Sequence, residues 1–197
     1  MEARGVDMGD DVSRDVDFVR VLEADFPEVK FVWTAPRFSF RMKNGVPTVF
    51  LGQPCPNFAL LALHELGHAL CKHKDYIVDV QRLKIESEAW ERAKTVYFEY
   101  ARRAGKVAQD EVGGRKLVKD EKLVKNRKLA ETGESVRDEK LLQILPEWDE
   151  DFVQDKLDSY RDWLHAKSKC KQCGLTCYQT EDGKYHCPRC EAFMLNV

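Results

Sequence analysis

No apolar run in these 197 residues approaches the length needed to cross a bilayer, so a membrane-spanning helix is not expected. The opening stretch, Met1 to Asp17, is polar and acidic, which argues against a secretory leader. Net charge is nearly absent as well. At −2, the chain has no bulk attraction for nucleic acid. Seven cysteines, an odd number, cannot all pair; a leftover thiol suits a reducing compartment better than an oxidised secreted scaffold. These absences together point to a cytoplasmic protein with no membrane partner.

With 43% hydrophobic residues, the chain can bury one core domain and carry a small appendage. Its charged residues, 34% of the total, are unevenly spread. Residues 1 to 28 hold nine acids against three bases, whereas residues 115 to 128 hold seven bases against two acids. The basic stretch lies in a six-residue near-repeat: Arg115–Asp120, Glu121–Asn126 and Arg127–Thr132. Leu117, Leu123 and Leu129 would share a face of a strand, but on a helix each repeat turns them by about 240°. A helical arm, a hairpin and a mobile insert all remain open for this segment, and a solvated charged face is its ordinary reading.

His64-Glu65-Leu66-Gly67-His68 is the most informative stretch. Residues four apart lie on one face of a helix, so His64 and His68 can point at one ion. Glu65 sits beside that face, where it can take a proton from a water activated by the metal. Pro54 and Pro56 break what precedes, Asn57 can cap, and the apolar run Phe58 to Leu63 leads in.

An open zinc site needs three protein ligands. On a continuous helix His73 would be turned off the metal face, five residues past His68. The better donors are Glu86 and Glu88, on a second helix expected from about Val80 to Arg103. Leu83, Ala89, Trp90, Ala93, Val96, Tyr97 and Tyr100 recur at helical spacing and define one arc of it. Glu86 falls inside the arc and Glu88 at its edge. A carboxylate in a buried stripe is costly unless paired or metal-bound, which favours Glu86 and leaves Glu88 as the alternative.

At the other end stand Cys170-Lys171-Gln172-Cys173 and Cys187-Pro188-Arg189-Cys190. Two CxxC knuckles with 13 residues between them have the spacing of a four-thiolate structural zinc site. Thr180 to Lys184 reads as a hairpin turn flanked by Tyr178 and Tyr185, the outline of a zinc ribbon. Two disulfides are the alternative. Cys55, Cys71 and Cys177 have no evident partner.

These residues resemble the ImmA/IrrE family of metallopeptidases. That family combines an HExxH helix, often with another His five residues on, with a later helix reading roughly E-x-E-A-N/D-x-F-A. Here His73 follows the first motif, and Glu86-Ser87-Glu88-Ala89-Trp90-Glu91-Arg92-Ala93 matches the second. Trp90 stands where the family has Asn or Asp and Arg92 where it has Phe, and the Leu-Leu-Met-Pro-like segment that often follows is missing. The resemblance covers roughly residues 15 to 104. It implies a zinc endopeptidase with His64, His68 and Glu86 as ligands and Glu65 as general base. By the same resemblance it would act on a cytoplasmic regulator such as a repressor.

The expected fold is α+β. A zincin-like metallopeptidase core over residues 12–104 would be followed by a charged insert or arm (105–145), a helix packing on the core (146–166) and a zinc ribbon (167–197). Within the core, Val12 to Ala24 reads as a helix and Val29 to Thr34, Phe38 to Met42 and Val46 to Leu51 as strands, with Lys43-Asn44-Gly45 as a hairpin turn. Phe152, Val153, Leu157, Tyr160, Trp163 and Leu164 form the apolar face of a helix spanning Pro146 to His165. Pro47 to Leu51, leading into the motif helix, is a candidate for pairing with an extended substrate, core strand being its ordinary role. Tyr76, Tyr97 and His73 are the candidate oxyanion donors. Two other functions compete. A SprT-like protease acting on DNA-bound proteins also couples HExxH to a terminal ribbon, but uses a third histidine, for which only His73 is at hand. A non-catalytic module would bind protein or nucleic acid through the ribbon or the basic insert.

Overall fold

The structure, a computed structural model, describes residues 8–33, 37–74, 76–105, 143–190 and 193–194. The chain is α+β. Helix α1 (Met8–Asp25) is followed by strands β1 (Lys30–Trp33), β2 (Ser39–Lys43) and β3 (Val46–Leu51), then helices α2 (Phe58–Cys71) and α3 (Asp79–Arg103). After the basic segment come α4 (Glu150–Ser168) and three short strands, β4 (Tyr178–Gln179), β5 (Tyr185–His186) and β6 (Phe193–Met194). Among the described residues no helix is long and apolar enough to cross a membrane.

The first sheet runs β1-β3-β2, with β1 parallel and β2 antiparallel to β3. Asn44 and Gly45, at φ 53° and 79°, close the β2–β3 hairpin as a two-residue loop of type I′ hand. β3 is paired on both sides, so Pro47 to Leu51 has no free edge and cannot receive a substrate strand. Among the described residues the open edges belong to β1 and β2.

Ten residues of α2 are buried, because it is sandwiched between that sheet and α3. Asn57 occupies the N-cap position of α2, but at φ −107° and ψ 24° its side chain makes no cap hydrogen bond, contrary to expectation. The core gathers Phe18 and Leu22 of α1, Val49 and Leu51 of β3, Leu60, Leu63 and Leu66 of α2, and Trp90, Val96 and Tyr100 of α3. Each such large side chain contributes about 1.5–3 kcal/mol by leaving water.

α2 and α3 pass closely at Gly67. A Cβ placed there would collide with the backbone carbonyl of Ala89. The Ala89 carbonyl is backbone of one packed helix and the Cβ is fixed directly to the backbone of the other, so neither can yield cheaply. Gly67→Ala should therefore destabilise the chain by about 1–3 kcal/mol or more and push α3 away from the two histidines. Urea denaturation checks the first effect, and metal affinity the second.

α4 begins at Glu150, four residues later than Pro146, because Asp149 accepts a hydrogen bond from the Phe152 N–H (2.8 Å) and caps the helix there. It packs on α3 through Val153 and Phe152, the latter edge-on to Trp90. Most of the segment read as a charged insert, residues 106–142, lies outside the described residues; its last two, Ile144 and Leu145, are buried in the core.

A second, separate cluster gathers, among the described residues, Cys170, Cys177, Tyr185 and Cys187, with Leu164, Cys173 and Cys190 against it. This C-terminal module is fastened to the start of α3 through buried Asp79. The Asp79 carboxylate accepts a hydrogen bond from the Tyr185 hydroxyl (2.7 Å) and pairs with Lys167 (2.8 Å). The Asp79 backbone N–H donates to the Gln179 side chain at 2.6 Å. An acid in the first turn of α3 also complements the helix dipole.

Candidate metal centres

Helical spacing on α2 brings His64 and His68 onto the side facing α3, and Glu86, two turns into α3, meets them there. The two Nε2 atoms are 3.1 Å apart. Glu86 Oε2 lies 3.1 Å from His64 Nε2 and 3.4 Å from His68 Nε2. Three donor atoms thus converge on one point, and the group could hold a metal ion. All three residues are buried.

Burial lowers the His64 pKa to about 4 against the pull of Glu86, which leaves a neutral imidazole with a lone pair to offer. Burial alone would raise Glu86, but its close contacts with the His64 and His68 rings outweigh it and hold the carboxyl well below its usual range. Glu86 therefore brings a negative charge to the centre and His64 a neutral ring. Glu65 differs: burial lifts its pKa to about 7, with His68 opposing. A carboxyl poised near neutrality can both accept and return a proton.

Aromatic faces hold the two imidazoles. Trp90 stacks on His64 at 4.2 Å between ring centres, and Phe40 of β2 lies parallel to His68 at 6.3 Å. His64 Nδ1 finds no hydrogen-bond partner among the described residues. Trp90 thus backs the His64 ring by stacking.

Glu88 does not join the group. It turns to His73, whose Nε2 lies 3.2 Å from Glu88 Oε2. The expected continuous helix stops short of His73: α2 ends at Cys71 and Lys72 takes the left-handed conformation, which brings His73 back beside His68. Both ring nitrogens of His73 are engaged, so it has no N–H to offer an oxyanion. Tyr97 donates to the Pro146 carbonyl at 2.9 Å, and Tyr76 sits at the rim beside Arg82.

The side chain that does reach the centre is Tyr160 of α4. Its hydroxyl is buried near Glu86 and Glu65, and that burial, with the charge of the two acids, keeps it firmly protonated. Arg82 lies over the Tyr160 and Trp163 rings, at 5.0 and 4.8 Å, and pairs with the other Glu86 oxygen at 3.6 Å. The sequence offered only one sign of this, a hydroxyl within the apolar face of the helix.

Cys170, Cys173, Cys187 and Cys190 form the second group, their sulfurs within 4.8 Å of one another. All seven cysteines are free thiols, which sets aside the two-disulfide alternative. The first knuckle turns at Gly174 (φ 74°), whose N–H bonds the Cys170 carbonyl at 2.8 Å. The Cys190 N–H donates to Cys187 Sγ at 3.4 Å and is the main reason the Cys187 thiol falls to about 6. Cys190 is pushed up to about 12, chiefly by its hydrogen bond to Cys173. Four crowded sulfurs cannot all ionise without a cation between them. This group too could hold a metal ion, whereas Cys177 lies outside it. Compared with models of known protein families, with curated proteins and with solved structures, the chain matches none.

Proposed function

We propose that the chain is a zinc-dependent endopeptidase similar to the ImmA/IrrE family, with a zincin-like core and a structural zinc ribbon. The carrying observation is the convergence of His64, His68 and Glu86 beside a near-neutral Glu65. Ligands about 2.0–2.1 Å from a tetrahedral zinc lie about 3.3 Å from one another. The three contacts here, 3.1, 3.1 and 3.4 Å, fit that spacing. Sulfurs about 2.3 Å from zinc lie about 3.8 Å apart, against 3.5 Å between Cys173 and Cys187. Mixed N/O donors suit a site that keeps a position open, and four thiolates suit a closed one.

Bound at His64, His68 and Glu86, zinc would acidify a water and polarise the scissile carbonyl. Glu65 takes the proton of the attacking water and hands it to the leaving amine. The Tyr160 hydroxyl, held protonated near Glu86 and Glu65, would serve as the donor for the charge that develops on the carbonyl oxygen. An extended substrate pairs with the open edge of β2, where Phe40 already borders His68. The substrate class is a cytoplasmic protein, with transcriptional regulators included by the family resemblance. A SprT-like protease would need a histidine ligand beyond the motif, and His73 is committed to His68 and Glu88 instead.

The test is cleavage of a denatured protein pool by the full zinc-loaded chain, read by mass spectrometry. Cleavage should cease with a zinc chelator and persist with its non-chelating isomer. No chelator-sensitive cleavage would contradict the peptidase, and cleavage only when DNA is present would favour the SprT-like reading.

A further inference from the structure

His68 has two ring nitrogens, and the structure commits both. Nε2 faces His64 and Glu86, and Nδ1 lies 2.9 Å from His73 Nδ1. His73 Nε2 in turn lies 3.2 Å from Glu88 Oε2. The backbone builds this arrangement. Lys72, at φ 55° and ψ 41°, ends α2, and the His73 N–H bonds back to the His68 carbonyl at 3.1 Å. The two rings then meet at 72° with centres 5.0 Å apart.

We propose that His73 and Glu88 are positioning residues, a hydrogen-bonded relay that fixes the tautomer and ring angle of His68 so that Nε2 presents its lone pair to the metal. The proposal rests on the zinc reading of the His64, His68 and Glu86 centre. Its logic follows from donor and acceptor counts. A carboxylate only accepts, so His73 Nε2 carries a proton and donates it to Glu88. A neutral His73 then has a bare Nδ1, which can only accept. The close Nδ1 to Nδ1 contact therefore requires the proton on His68 Nδ1, which leaves His68 Nε2 bare and aimed at His64 and Glu86. The opposite assignment would place a proton on Nε2 and exclude His68 as a ligand. Glu86 and Glu88 thus divide the labour on α3: Glu86 faces the ion, and Glu88 steers one of its ligands from the far side.

Outer groups of this kind typically change metal affinity about ten- to a hundred-fold when removed. The test measures zinc affinity of the full chain by competition with a chromophoric chelator, following the zinc held outside the ribbon. His73→Ala and Glu88→Ala should each weaken it by about that factor. The double variant should be no weaker than His73→Ala alone, because Glu88 acts only through His73. Glu88→Gln, which keeps an acceptor oxygen on a half-exposed side chain, should retain most of the affinity and leave the fold untouched. Parent-like affinity in both alanine variants, or additive losses in the double, overturns the relay while the zinc site stands. A parent chain that holds zinc only in the ribbon overturns the site and the relay together.

Discussion

With glutamine at position 65, peptide hydrolysis should fall about a hundred- to ten-thousand-fold while the metal stays in place. Glu65 is not among the converging donors, so its loss subtracts no ligand. Its carboxyl lies beside them instead, lifted to about 7 by burial, where proton exchange near neutral pH is easiest. Glutamine keeps the shape and removes the basicity. His64→Ala should instead lose metal and activity together, because it deletes a ligand. Turnover of a substrate from the chelator-sensitive digest, with zinc content in parallel, separates the two outcomes. Undiminished cleavage by Glu65→Gln, in a preparation free of contaminating protease, would leave only the binding-module reading.

Changing Cys170 and Cys173 together to serine should unfold the C-terminal module outright and lower bound zinc from two per chain to one. Among the described residues the buried cluster of that module is Cys170, Cys177, Tyr185 and Cys187, three of the four being thiols, so the metal is expected to be its main tie. Structural zinc supplies an apparent free energy of about 10–16 kcal/mol to small modules of this kind. Its loss should also release Tyr185 and Gln179 from Asp79 and leave that buried carboxylate with Lys167. The main core, built from α1, the first sheet, α2 and α3, should stay folded because its buried residues are its own. Limited proteolysis should then cut within the module and spare the core; an intact module would refute its dependence on zinc.

The parts of this fold that are local were legible in the sequence. The motif helix, the long Glu-bearing helix and the Asn44-Gly45 turn each write their geometry into a few consecutive residues. The apolar arc on α3 placed Glu86 on the inner face and Glu88 at its edge, as the two are found. What was not legible is non-local or unsignalled. Pairing of β1 with β3, across the hairpin, leaves β3 in the centre and β2 at the edge, and no stretch of sequence states that order. A helix that ends on a left-handed lysine carries no glycine to announce its end, so His73 read as turned away when it is turned back. Asp149 could have marked the start of α4, since an acid three residues before Phe152 is an ordinary cap. Tyr160 was visible as part of an apolar face, but periodicity names the face and not what it meets.

The most direct measurement is zinc content with zinc-edge X-ray absorption on the full chain purified without added metal. Two zinc ions per chain are expected, one with nitrogen and oxygen neighbours at about 2.0–2.1 Å and one with sulfur at about 2.3 Å. Glu86→Gln should remove the first population and keep the second. A single zinc with only sulfur neighbours in the parent chain would contradict a catalytic metal at His64, His68 and Glu86.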